Sequence, residues 1–251
     1  MKFRPAIALA IAAGALHLSP AYASEGSNDE WHFTVSPYFW GAGISGDVGQ
    51  FDRNKIEVDS SFSDIWKDLD FSFMAIAEAR KGRFSLFSDI IYTKISSRGD
   101  TPRGILVDHI NVKSETFAGI FGGGYAIVET DRALVDWVAG ARIWHASTDI
   151  NLKGGLLAER SAHDSDSWVD VVTGLRGRYA LTPEIYLSGW GLVGAGEADL
   201  DWDVAATVGY QFTDSVSAVA GYRAFGVDYD KGGFIYDVVQ KGPIIGVVMR
   251  F

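Results

Sequence analysis

The side chains that hold the most chemistry in this sequence are arginines and carboxylates set at alternate positions. Glu78, Arg80, Asp89, Asp136, Arg142, Asp170, Arg176, Arg178, Asp201, Asp203, Arg223 and Arg250 fall on the polar parity of their segments. Residues two apart on a strand share a face, so the pattern collects charges of both signs on one wall. A guanidinium grips a carboxylate at two points, and losing one partner strands the other charge. The chemistry implied is a network of cross-strand ion pairs, with a narrow path for a small solute as the second reading.

The remaining candidates are sparser. His145 and Ser147 lie two residues apart on the parity opposite Asp136 and Arg142, and Glu159 follows twelve residues later. Such a pair also fits an ordinary interfacial strand. His32, His109 and His163 lie in separate segments, and Asp164 and Asp166 flank Ser165 without completing a calcium loop. Phe121-Gly122-Gly123-Gly124-Tyr125 lacks the Lys-Ser/Thr ending of a phosphate loop, so its glycines relieve crowding or allow curvature inside a strand. With no cysteine there are no disulfides, thiolate metal sites or thiol nucleophiles. No soluble cofactor is implied.

The elements that must position these groups are strands. Trp202, Val204, Ala206, Val208, Tyr210 and Phe212 alternate with Asp201, Asp203, Ala205, Thr207, Gly209 and Gln211. Similar patterning predicts strands near 31–44, 70–80, 83–97, 108–128, 133–149, 166–181, 184–195, 200–212, 216–228 and 234–251. The result is an all-β antiparallel up-and-down barrel of ten strands. Twelve follow if a hairpin forms around Phe51 to Val58 and the last segment splits at Gly242-Pro243. Short turns alternate with longer or more polar links at 97–106, 151–165 and 229–233. Residues 61–69 read as a short helix, either folded into the barrel or held in a loop. Trp31, Phe33, Tyr38, Phe39, Trp40, Tyr92, Trp144, Tyr179, Tyr186, Trp190 and Tyr229 cluster near strand ends, where rings can sit at headgroup depth.

The ends set the compartment. Lys2 and Arg4, the apolar run Ala6–Leu18 and Ala21-Tyr22-Ala23 have the parts of a cleavable signal peptide over 1–23. Cleavage leaves a single domain over 24–251, and loss of those two cations takes the formal net charge from -10 to -12. An acidic chain with no basic block argues against nucleic acid as a partner. No later stretch is apolar enough for a membrane helix, so strands must do the spanning, and only in a closed sheet.

The final strand places Ile245, Val247, Met249 and Phe251 on one face, opposite Arg250. It resembles the closing strand of Gram-negative outer-membrane β-barrels, whose terminal aromatic is read by the barrel-assembly machinery. The resemblance spans roughly 30–251. The stretches Trp31-His32-Phe33-Thr34-Val35-Ser36-Pro37-Tyr38-Phe39-Trp40-Gly41 and Phe71-Ser72-Phe73-Met74-Ala75-Ile76-Ala77-Glu78-Ala79-Arg80 look like those of one proteobacterial group within that family. The resemblance implies the cell outer membrane and contact with its lipids and lipopolysaccharide, but no agreed activity.

His145-Ala146-Ser147 also resembles lipid A deacylase, an outer-membrane barrel enzyme. That likeness would make Ser147 the nucleophile, His145 the general base and Glu159 the group that orients it. Thr148 stands where that family has asparagine, and over 90 residues follow Glu159 where the family has few. The sequence therefore points first to a non-enzymatic barrel with a structural or surface role. A narrow, porin-like solute channel comes second and a lipid ester hydrolase third.

Overall fold

The computed structural model describes residues 30–49, 55–100, 109–153 and 160–251. The expected signal peptide, Phe51 and Glu159 lie outside them. The elements are β1 (Trp31–Trp40), β2 (Gly43–Gly49), β3 (Ile56–Ser60), α1 (Phe62–Asp68), β4 (Leu69–Lys81), β5 (Phe84–Asp100), β6 (His109–Glu129), β7 (Ala133–Lys153), β8 (Arg160–Ala180), β9 (Ile185–Gly196), β10 (Leu200–Gln211), β11 (Val216–Lys231) and β12 (Phe234–Arg250). Ten strands, β1 and β4 to β12, follow one another antiparallel around a barrel that closes where β12 pairs with β1. β2 and β3 stand outside that count.

The wall is apolar outside and polar within. On β10, Val204 and Val208 are 45% and 52% exposed, while Asp201 and Asp203 are 0% and 1% exposed. Phe84, Leu86, Val171 and Ile245 are likewise exposed. Such inverted polarity suits a wall facing hydrocarbon. Closure satisfies the backbone groups that lipid cannot.

One stretch of wall is built differently. β1 and β2 run against β12 in one continuous register, from Thr34↔Arg250 to Gly49↔Ile235, interrupted at Gly41-Ala42. β4 instead stays with β5. β1 and β4 pair only from Trp31↔Lys81 to Pro37↔Ala75. Beyond that point Tyr38–Trp40 and Leu69–Met74 part, and the chain between them forms β3, paired to β2, followed by α1.

Helix α1 sits across this seam. None of its residues is buried, and Phe39 of β1 packs edge-on to Phe62 and Trp66 at 5.7 and 5.5 Å. It is therefore a cover on the wall, neither a buried plug nor a helix apart from the barrel. Ser61 occupies its N-cap position, but its hydroxyl turns to Asp64 at 2.6 Å and not to a backbone N–H. That bond, with Lys67 at 3.1 Å, holds the Asp64 carboxyl below its ordinary pKa.

Several boundaries differ from the sequence reading. The polar link expected at 151–165 is mostly strand, since β7 and β8 stay paired as far as Leu152↔Arg160. Beyond the lipid both faces meet water, so the alternation fades while the ladder continues. The link expected at 229–233 shrinks to Gly232-Gly233, whose φ angles of 61° and 84° suit a two-residue hairpin turn. β12 runs unbroken through Gly242-Pro243, and the hairpin expected around Phe51 to Val58 does form but begins earlier, with β2 paired to β3 from Ile44↔Ser60 to Val48↔Ile56. Within the glycine run, a Cβ at Gly122 would come 2.5 Å from the Ala139 carbonyl, so crowding explains that residue.

Candidate functional site

The inward parity of β4, β5, β7, β8, β10, β11 and β12 carries the charged set into the lumen, where it forms layers. The central layer, here called the floor, lies at Arg223. Its guanidinium reaches Asp203 at 2.7 and 3.0 Å, Asp89 at 2.8 Å and the Tyr38 hydroxyl at 2.8 Å. Tyr38 in turn donates to Asp89 at 2.7 Å. Arg142 pairs with Asp201 and, at 3.1 Å, with Asp203. The indole N–H groups of Trp144 and Trp190 donate to Asp201 and Asp203 at 3.0 and 2.8 Å. These residues come from β1, β5, β7, β9, β10 and β11, so the bonds span the lumen and do not merely follow one wall. Arg142, Arg223, Asp201 and Asp203 are at most 2% exposed.

A second layer lies toward the end that holds the chain termini. Arg176 pairs with Glu78 at 2.7 Å and Asp136 at 3.0 Å, and Arg80 pairs with Glu78 at 2.9 Å and with Asp136. Between the two layers pack Phe87, Ile120, Val138, Val172 and Leu192. Nearer the same end, Arg178 bonds to Gln211 at 3.0 Å and stacks 3.9 Å from the Tyr186 ring, while Arg250 reaches Ser217 at 3.3 Å. Asp170 stands apart from the ion pairs. One of its oxygens accepts the Ala198 N–H at 2.8 Å, and the other has no partner among the described residues.

On the opposite side of the floor the interior turns aromatic. Trp144 stacks on Trp168 at 5.5 Å, and Trp168 on Tyr229 at 4.1 Å. Beside this stack a cavity of about 470 Å³ lies between Met74, Ile91, Ala118, Trp144, Phe225 and Tyr236. It extends to Phe39 and Phe62 at the seam. Six aromatics expected at headgroup depth therefore belong inside: Trp40, Trp144, Tyr186 and Tyr229 are each 1–3% exposed, and Tyr38 and Trp190 bond within the floor. Parity held the missed signal, because Trp144 shares the face of Arg142, and aromatic type does not distinguish the two sides of a barrel. Trp31, Phe33, Phe39 and Tyr179 do face outward. The cavity itself left no mark in the sequence, since its walls meet only after closure.

His145 and Ser147 have different surroundings. His145 lies on the outer face, and its Nδ1 bonds to Ser167 across the strand at 2.8 Å. Ser147 is buried at 8% exposure. His163 pairs with Asp149 at 2.8 Å, and no group of three metal-ligating side chains occurs among the described residues.

No protein-family model and no curated protein matches the chain. Solved structures do. The outer membrane protease OmpT of Escherichia coli matches at 10% identity and a TM-score of 0.54, covering 89% of this chain and 97% of that one. Ail, the attachment invasion locus protein of Yersinia pestis, matches at 11% identity and a TM-score of 0.38, covering 89% and 99%. The translocator domain of the autotransporter NalP from Neisseria meningitidis matches at 11% identity and a TM-score of 0.36, covering 87% and 88%. At such identities the likeness is one of fold. That fold is the Gram-negative outer-membrane β-barrel, and with the apolar outer face it places the chain in the cell outer membrane.

Proposed function

We propose that this outer-membrane barrel is a non-conducting, non-enzymatic protein with a structural or surface role. One observation carries the reading: the floor crosses the lumen with Arg142, Arg223, Asp201 and Asp203 almost wholly buried and hydrogen-bonded to one another. A conducting path would need those charges to part. Each parted charge would lose close partners in an interior where an uncompensated charge is costly. A second ion-paired layer stands in series with the first. Hydrolysis by Ser147 is less favoured, because that hydroxyl residue is buried in the wall while His145 is exposed on the outer face and bonded to Ser167.

Planar-bilayer recording of the purified full-length protein tests this. The expected record matches a no-protein control. Reproducible conductance steps would overturn the reading in favour of a narrow solute channel.

A further inference from the structure

The outer cavity has three properties that together point to a ligand. Its lining is mostly apolar, with Met74, Ile91, Ala118 and Phe225 beside Trp144 and Tyr236. Its volume of about 470 Å³ falls within the roughly 300–1,000 Å³ of small-molecule sites. Two lining residues also hold buried polar atoms without partners among the described residues, Trp40 Nε1 and Ser72 Oγ. Trp40 is 3% exposed. Buried donors left unpaired are rare and costly, and an indole N–H can only donate. A small turn of the indole would present it to a ligand oxygen in the cavity.

The floor restricts that ligand's charge. Arg142 and Arg223 are already held by Asp89, Asp201 and Asp203, so neither guanidinium is free to receive an anion. The wall indicates the route. Where β1 and β4 part, the cavity extends to Phe39 and Phe62, and Phe39 is also 36% exposed on the outer face. Side chains, not a backbone ladder, bridge that stretch. Phe39, Phe62 and Trp66 pack there at 5.5–5.7 Å.

From these features we propose that the outer cavity binds one uncharged acyl chain bearing an ester oxygen. The chain enters from the bilayer between β1 and β4 beneath α1, and its oxygen takes the Trp40 N–H. This goes beyond the non-conducting reading and is tested without any measurement of conductance.

The test is photolabelling of full-length protein in phosphatidylcholine nanodiscs. One arm carries a phospholipid with a diazirine near the end of one acyl chain. The other uses a free diazirine methyl ester of a medium-length fatty acid. Peptide mass spectrometry is expected to find the phospholipid label on the inward residues Trp144, Ala146 and Phe225, besides the lipid-facing residues Val169, Val171 and Leu175. Ala118→Trp, which fills the cavity, should reduce the inward label about tenfold while leaving label on Val169, Val171 and Leu175 unchanged. Ala146→Leu serves the same purpose if Ala118→Trp fails to give a heat-modifiable barrel. Trp66→Ala, which thins the cover, should speed the inward labelling. Label confined to outward residues in both arms, or insensitive to cavity filling, overturns the proposal. Inward labelling by the free ester alone overturns passage of a bilayer chain through the seam.

Discussion

The half of the barrel nearest the termini and the outer half fill their interiors differently. In the first, the wall is paired all round and the space holds ion pairs. In the second, β1 and β4 part and the space behind them is aromatic and hollow. The difference teaches where a membrane barrel can open its side. A gap beside Arg223 or Asp136 would bring buried ion pairs to hydrocarbon, whereas the gap beside Met74 and Phe39 opens on a mostly apolar interior, with Asp64 and Asp68 on its α1 side. The seam lies where the contents of the interior permit it.

The largest expected effect breaks the first half. Arg223→Met leaves Asp89 and Asp203 without their shared cation, and should cost about 3–5 kcal/mol of folding stability. Arg176→Met acts on the less buried layer, where the side chain is 19% exposed, and should cost about 1–3 kcal/mol. Urea unfolding in lipid vesicles, followed by tryptophan emission, measures both. Equal losses would mean that the floor has no special place.

A smaller test lies outside the barrel. Lys94 and Glu115 pair on the exterior at 2.5 Å with about a third of each side chain exposed. Surface pairs of this kind contribute little. Lys94→Ala should leave the unfolding midpoint unchanged, and a clear drop would show that exterior pairs hold the wall as interior ones do.

Strand positions were legible in the sequence because lipid outside and charge inside impose a period of two. The ten strands of the closed barrel follow from that pattern, within a few residues at most ends. Parity likewise pointed Asp136, Arg142, Asp203 and Arg223 inward, but one strand cannot say which charges meet. Asp89 and Arg223 are 134 residues apart and touch only across the closed lumen. The seam was hidden for another reason. Residues 45–69 carry no clear alternation, since β2 and β3 form a hairpin beyond the regular wall and α1 is too short to show a face. The aromatics misled by type, because a ring suits both a headgroup belt and an interior stack.

If the two ion-paired layers close the lumen, removing the charges of both should open it. Planar-bilayer recording compares native protein with a variant carrying Arg142→Ala, Asp203→Ala and Arg223→Ala in the floor and Glu78→Ala, Asp136→Ala and Arg176→Ala in the second layer, both first shown to be folded barrels. The native protein is expected to be silent and the variant to give discrete current steps. Conductance steps from native protein, or equal records from the two, would overturn the seal.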